Sequence, residues 1–161
     1  MQDCPDLQSL ALELIGSQST MALATAFNSQ AWAAPVYYVF YSKAFYFFSS
    51  PKSKHICQAL ETKNASATIY PFVFTWQEIQ GLQMSGYIEK VSPGLKAIQA
   101  VRAYAAKYPF LADFFDASKD IDLENLGKKF KVRLYRFVPS LIYYLDNRIY
   151  FGFREEIQLN C

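Results

Sequence analysis

The chain has 161 residues, 52% hydrophobic and 19% charged, which excludes a disordered tail or linker-rich protein and allows one sizeable core. Its net charge of +2 is too small for a nucleic-acid coat or a polybasic membrane anchor. Aromatic residues reach 17%, with 14 Phe and 12 Tyr, so some are expected at a subunit interface or ligand site.

Cys4, Cys57 and Cys161 are odd in number and far apart. Without a CxxC pair they read as reduced thiols, and neither a disulfide framework nor a zinc site is expected. Leu10 to Ala26 is apolar-rich, yet Asp3, Asp6, Glu13 and the mid-stretch Gly16-Ser17-Gln18 argue against a signal peptide. No uninterrupted run approaches the ~18 residues of a membrane span. A cytoplasmic protein without a membrane or nucleic-acid partner is expected, one domain over residues 1–161.

In chain order, Asp6 to Ile15 has Leu7, Leu10, Ala11 and Leu14 at helical spacing, so residues 1–18 are expected to carry a helix packed on the rest. Thr20 to Phe27 then alternates, with Ala22, Ala24 and Ala26 on one side and larger residues on the other. A turn at Asn28-Ser29-Gln30 leads to a second strand, Ala31 to Tyr41, and Ser42-Lys43 to a third, Ala44 to Ser49. The third is apolar on both faces, as in a barrel wall covered by another element. Ser50-Pro51 reads as an N-cap and first helical residue, opening a helix to about Thr62. Strands follow at Ala65 to Phe74 and Ile79 to Val91, the second interrupted by Gly81 and Gly86 as at a bulge or barrel corner. Ser92-Pro93 precedes a helix over Gly94 to Tyr108, which Pro109 breaks. A short helical piece, Phe110 to Phe115, and a polar loop, Asp116 to Gly127, come next. Strands at Phe130 to Val138 and Leu141 to Leu145, a turn at Asp146-Asn147-Arg148 and an extended Ile149 to Phe153 complete the chain. The order α-βββ-α-ββ-α-ββ with short turns predicts a mainly β fold, a six- or seven-stranded antiparallel Greek-key barrel with peripheral helices.

Ser49-Ser50-Pro51-Lys52-Ser53-Lys54-His55 is the informative segment: hydroxyls and three potential cations at a strand end and helix start. Cations there oppose the helix dipole, so the pattern costs stability unless an anion sits nearby. A phosphate would gather helix N–H groups, Ser hydroxyls and Lys ammoniums. The alternative is a solvated first turn with Lys52 and Lys54 in water.

Ala34-Pro35-Val36-Tyr37-Tyr38, followed by Ala44 to Ser49 and Ser50-Pro51-Lys52-Ser53-Lys54-His55, resembles the core of the pyridoxamine-phosphate-oxidase-like FMN-binding split barrels. So do Ala65 to Phe72 and Ile79 to Glu89. The run Ile142 to Phe153 resembles the ending of a poorly characterised bacterial branch of that superfamily. The resemblance covers most of the chain from Thr20 onward, and it implies an FMN-binding split-barrel domain. It also implies an FMN phosphate gripped by Ser49, Ser50, Ser53, Lys54 and His55, with Lys52 adjacent. The isoalloxazine ring would lie against Ala34, Pro35, Val36 and Tyr37, with Gln83 in a region that contacts the ring. It further implies a homodimer with flavin sites at the subunit interface, a place to bury the excess Phe and Tyr.

Two departures matter. Family phosphate sites commonly use Arg, whereas Lys54 and His55 give point charges rather than a bidentate fork. The tail Arg154-Glu155-Glu156-Ile157-Gln158-Leu159-Asn160-Cys161 lacks the Arg- and Trp-containing ending of true pyridoxamine phosphate oxidases, so vitamin B6 oxidation is not expected.

His55 is the one histidine, and no acidic cluster is near it in sequence, so no catalytic triad or His-based metal site is assigned. Lys128, Lys129, Lys131, Arg133 and Arg136 read as a solvated strand edge more readily than as a nucleic-acid face. Trp32 and Trp76 are most simply core or interface aromatics, though Trp76 could lie over a partner's flavin. Three functions follow. The first is an FMN flavoprotein moving electrons or hydride from a reduced nicotinamide to a small acceptor, the cofactor supplying the chemistry. The second is a non-catalytic module holding FMN, haem or a related tetrapyrrole. The third is an oligonucleotide-binding barrel.

Overall fold

The computed structural model describes residues 6–111, 127, 128 and 130–159. Asp6 caps helix α1 (Leu7–Ser17), its carboxylate accepting from the Gln8 amide at 3.1 Å. Ala11, Leu14 and Ile15 of that helix are buried. The strands are β1 (Thr20–Phe27), β2 (Gln30–Tyr37), β3 (Val39–Tyr41), β4 (Ala44–Ser49), β5 (Ala65–Ile69), β6 (Gln80–Lys90), β7 (Arg133–Asp146) and β8 (Arg154–Glu156). Helix α2 (Lys54–Thr62) follows β4, and α3 (Leu95–Lys107) follows β6.

All pairings are antiparallel, in the order β2-β1-β5-β6-β7-β4-β3, with β8 added to β7. Because β3 continues β2 after a single residue, the two ends of this path are halves of one bent strand. The sheet therefore closes on itself, a mainly β barrel of about six walls with helices outside. Val36, Leu23, Ala67, Leu82, Phe45 and Phe137 fill the interior with α1 residues. Ala44 and Tyr46, on the opposite face of β4, are covered by Ala97, Ala100, Val101 and Tyr104 of α3. That cover is why β4 is apolar on both sides.

The elements differ from the sequence expectation chiefly at five places. The second strand breaks at Tyr38, whose backbone bonds to a side chain: its carbonyl accepts from the Tyr108 hydroxyl at 2.5 Å, and its N–H lies 3.2 Å from that oxygen. The fourth expected strand stops at Ile69 rather than Phe74, since Pro71 offers no ladder N–H. Helix α2 starts at Lys54 with Ser53 as its N-cap, because Ser50 to Ser53 is spent on a turn closed by Ser53 N to Ser50 O at 3.0 Å. The two expected strands around Pro139 are one, β7, with a register shift at Ser85/Gly86 accommodating the proline. Ile149 to Phe153 is a turn region, and the last strand is β8. The pieces expected at Phe110 to Phe115 and Asp116 to Gly127 lie mostly outside the described residues, although Pro109–Leu111 forms a 3-10 turn.

Two buried polar clusters tie the helices and turns to the barrel. Asp146 is buried, accepting from the Tyr144 hydroxyl at 2.9 Å, from Arg148 Nε at 2.9 Å and from an Arg148 terminal nitrogen at 2.6 Å. Burial pushes the Asp146 carboxyl up, but these hydrogen bonds outweigh it and hold it below the usual carboxylate range. Arg148→Ala is expected to cost about 2 kcal/mol in urea denaturation near neutral pH, because it strips charged partners from a buried carboxylate.

Lys107 supplies the second cluster. Its ammonium donates to the carbonyls of Ile15 (3.1 Å) and Gln18 (2.7 Å) at the end of α1 and lies 4.0 Å from the Tyr38 ring centre. Burial pulls its pKa down to about 8 and raises those of Tyr38, Tyr104 and Tyr108, the last to about 12. Between pH 8 and about 10 the unfolded chain binds more protons at Lys107 than the folded one, which favours folding as pH rises. Above about 10 the unfolded tyrosines ionise while the folded ones keep their protons, so stability falls. A circular-dichroism melting series should show a flat or slightly rising midpoint to pH 10, then a loss of roughly 10 °C by pH 11.5.

Candidate functional site

Strand β4 ends and α2 begins within five residues, which gathers the hydroxyl and cationic side chains. Ser49 Oγ lies 2.9 Å from His55 Nε2 and 3.1 Å from Ser53 Oγ. Ser53 Oγ donates to the Ser50 carbonyl at 2.8 Å, and Ser50 Oγ accepts from the Lys52 amide at 3.3 Å. Ser53 thus spends its hydroxyl on the preceding turn rather than on the helix, and α2 opens with neither a side-chain cap nor an acidic residue. Its first N–H groups are left with the positive end of the helix dipole.

The three potential cations separate. His55 is buried with its ring against Ser49, and desolvation lowers its pKa below the ordinary value, so the ring is neutral at pH 7. Lys52 is exposed beside the turn. Lys54 is exposed at the first helical position, 3.4 Å from Gln30 Oε1 and 4.7 Å from the centre of the Trp32 ring. The site's positive charge therefore rests on the two lysines. Gln30 and Trp32 belong to β2, and Gln58 of α2 ties the same hairpin down by donating to the Gln30 carbonyl at 3.1 Å and accepting from Thr25 Oγ1 at 2.7 Å.

The strand residues expected beside a ring divide between two faces. Val36 is buried in the barrel and Ala34 half-buried with it, so both offer a ligand outside only backbone. Pro35 and Tyr37 point outward, and Tyr37 packs edge-on against Tyr108 at 5.3 Å. Gln83, also exposed, lies in the same row: the register runs Gln83, Thr68, Ala22, Pro35 across β6, β5, β1 and β2. The next row is Ser85, Ser66, Ala24, Ala33. Together they wall a shallow depression of about 530 Å³, extended by Leu141 and Tyr143 of β7. Every outward residue of these two rows is uncharged. The alternation of Ala22, Ala24 and Ala26 in β1 signals this smooth wall in the sequence; its partners Ser66, Thr68 and Ser85 emerge only with the strand register. Gln30 and Trp32 around Lys54 are likewise a product of the hairpin.

No protein-family model and no curated protein sequence matches the chain. Solved structures do. A putative pyridoxamine 5'-phosphate oxidase from Listeria innocua superposes with a TM-score of 0.63 at 11% identity, over 88% of this chain and 99% of that one. The fold is the pyridoxamine 5'-phosphate oxidase-like split barrel. The same split barrel recurs in ChuZ of Campylobacter jejuni (TM-score 0.73, 13% identity, 98% of this chain and 61% of that one). It recurs again in a heme binding protein of Mycobacterium smegmatis (0.70, 16%, 96% and 58%). The chain thus spans about three fifths of those two longer proteins. Within the split barrel, the depression lies on the outer face of β1, β2, β5 and β6, and the lysine-bearing turn at one end of the barrel under α2. Among the described residues, no group of three or more His, Cys, Asp or Glu side chains is arranged to hold a metal, and no helix is long and apolar enough to cross a membrane.

Proposed function

We propose that the chain is a cytoplasmic FMN-binding flavoprotein, a homodimer with its flavin sites at the subunit interface. The observation that supports it best is the start of α2: an uncapped nine-residue helix with no acid in its first turn, opened by Ser53 and Lys54 beside Ser50 and Lys52. These residues fit a phosphate monoester, with helix amides and the Ser50 hydroxyl donating to its oxygens and two ammoniums balancing its charge, while the Ser53 hydroxyl stays on the turn. Ser49 and the neutral His55 hold Ser53 and the turn in place. On the strand side, Pro35 and Tyr37 would meet the ring face, the backbone of Ala34 and Val36 its polar edge, and the Gln83 amide a ring oxygen or nitrogen.

FMN, when bound, supplies hydride and electron transfer, here from a reduced nicotinamide to a small acceptor. The chain's own share is binding, orientation and exclusion of water by an uncharged wall; no side chain is assigned as a catalytic acid or base. Similarity to haem-binding proteins supports a second reading, a module that holds haem or another tetrapyrrole without turnover. Against it, His55 Nε2 is already engaged by Ser49 and would have to leave its buried site to reach an iron. Titration of the purified protein with FMN and separately with hemin, read by visible absorption, discriminates the two. A shifted, structured flavin band with stoichiometric uptake supports the flavoprotein; a Soret shift with free FMN left unperturbed would replace it by the haem module.

A further inference from the structure

Beside the start of α2 lies a second hollow, between that helix and the β1-β2 hairpin, which the flavin reading leaves unused. Its volume is about 600 Å³, within the roughly 300–1,000 Å³ of small-molecule sites. Lys54, Gln58 and Glu61 line it from α2, at helical positions i, i+4 and i+7, which share one face. Phe27, Asn28 and Gln30 line it from the hairpin. Its floor is fixed by the buried Gln58, which accepts from Thr25 Oγ1 at 2.7 Å and donates to the Gln30 carbonyl at 3.1 Å. Phe27 continues the inward row of Thr25 to the barrel mouth, where it is 40% exposed.

The polar groups are ordered along the hollow. At one end is the Lys54 ammonium, 3.4 Å from Gln30 Oε1, which the hollow shares with the phosphate site proposed above. Two helical turns further, about 10 Å along the axis, stands the exposed Glu61 carboxylate. A carboxylate only accepts hydrogen bonds and repels a second anion, so its complement is a neutral donor. The diol of a ribose offers two hydroxyls to one carboxylate, the pairing by which an acidic side chain holds a nucleotide's sugar. The Asn28 amide carries a donor and an acceptor side by side, which matches the N6 donor and N7 acceptor of adenine. Phe27 supplies an aromatic side chain on which a base stacks. Cation, carboxylate, amide and ring thus correspond to phosphate, ribose, base edge and base face.

We propose that this hollow binds the adenylate half of a dinucleotide, its phosphates at Lys54, its ribose diol on Glu61 and its adenine against Phe27 and Asn28. Two molecules carry that half: FAD, whose other half is FMN itself, and the reduced nicotinamide donor. The seat is read from the hollow's own residues; only the identity of the dinucleotide rests on the flavin reading above. A ribose 2'-phosphate would face the Glu61 carboxylate, so NADH is accepted and NADPH rejected.

Cys57 lines the same hollow with an exposed thiol and reports its occupancy. The test is the rate at which iodoacetamide alkylates Cys57, followed by mass spectrometry of its peptide from the full chain. ADP, inorganic pyrophosphate, FMN and FAD are added in turn, and NADH with FMN present. Saturating ADP should slow alkylation about tenfold or more, and pyrophosphate should not. Glu61→Ala, at an exposed position, should raise the ADP concentration needed by about tenfold. Protection by FAD but not by FMN assigns the adenylate to the cofactor, and protection by NADH in the FMN-loaded chain assigns it to the donor; either supports the proposal. No protection by ADP or by either dinucleotide overturns it, as does equal protection by ADP and pyrophosphate. FMN uptake without any protection by an adenylate overturns the seat and leaves the flavin reading standing. ADP protection that Glu61→Ala weakens, in a chain that takes up neither flavin, supports the seat and overturns the flavin reading alone.

Discussion

Lys54→Glu should lower FMN affinity by about 100-fold or more in a flavin-fluorescence titration. A hydrogen bond to a charged group contributes about 1.5–3 kcal/mol, or roughly 10- to 150-fold, and the new carboxylate adds repulsion on a helix end that carries no other acid. The fold should hardly notice. Lys54 is exposed, and its contacts with Gln30 and Trp32 are of the kind worth about 1 kcal/mol or less at a surface. A thermal melt of the same protein therefore separates binding from folding, and Lys54→Met should fall between wild type and Lys54→Glu. If Lys54→Glu binds FMN within twofold of wild type, the phosphate is not at the start of α2, and the sequence-derived placement of the flavin fails with it.

The largest stability effect is expected at Gly86. A Cβ there would stand 2.1 Å from the Val138 carbonyl oxygen and 2.9 Å from the Pro139 Cα, both backbone atoms that cannot swing aside. This is the place where β6 and β7 shift register, so any relief must move two strands. Gly86→Ala should cost about 3 kcal/mol or more, at the upper end of overpacking effects. A urea midpoint that moves by less than the equivalent of about 1 kcal/mol would mean that the bulge opens easily.

Much of the barrel is legible in the sequence because its strands are bounded by local chemistry. β1 begins and ends where alternation begins and ends, β4 where its continuous apolar run does, and Asn28-Ser29 and Ser42-Lys43 turn the chain with left-handed backbone at both positions of each pair. What is not legible depends on distant partners. Tyr38 breaks a strand because Tyr108, 70 residues later, takes its backbone bonds. Pro139 reads as a strand boundary until the bulge at Gly86 is seen beside it. Ser50-Pro51 has a helix-start pattern as good as that of Ser53, and only the turn closed by Ser53 N decides between them. The site follows the same division. The half proposed to hold phosphate is contiguous in sequence, so the conflict between its lysines and the helix dipole is visible there. Its wall is assembled by register from four strands, and a run of alanines is silent about which serines and threonines will lie beside it. In sequence His55 reads as a third potential cation; burial beside Ser49 disfavours its charged form and makes the ring a strut for the turn.

Strand β7 deserves its length. Fourteen residues long, it pairs with β6 along nearly its whole span, with β4 over its first part and with β8 over its last. Among the described strands, only β8 follows it in the chain. Until Asp146 has emerged, β6 and β4 each expose an unpaired, apolar edge, and the barrel lacks the one wall that joins its two halves. Synthesis of this chain therefore passes through a long window of edge exposure, in which demand for a holdase chaperone and the hazard of edge-to-edge aggregation depend on the rate of elongation from Lys90 to Asp146 as well as on final stability.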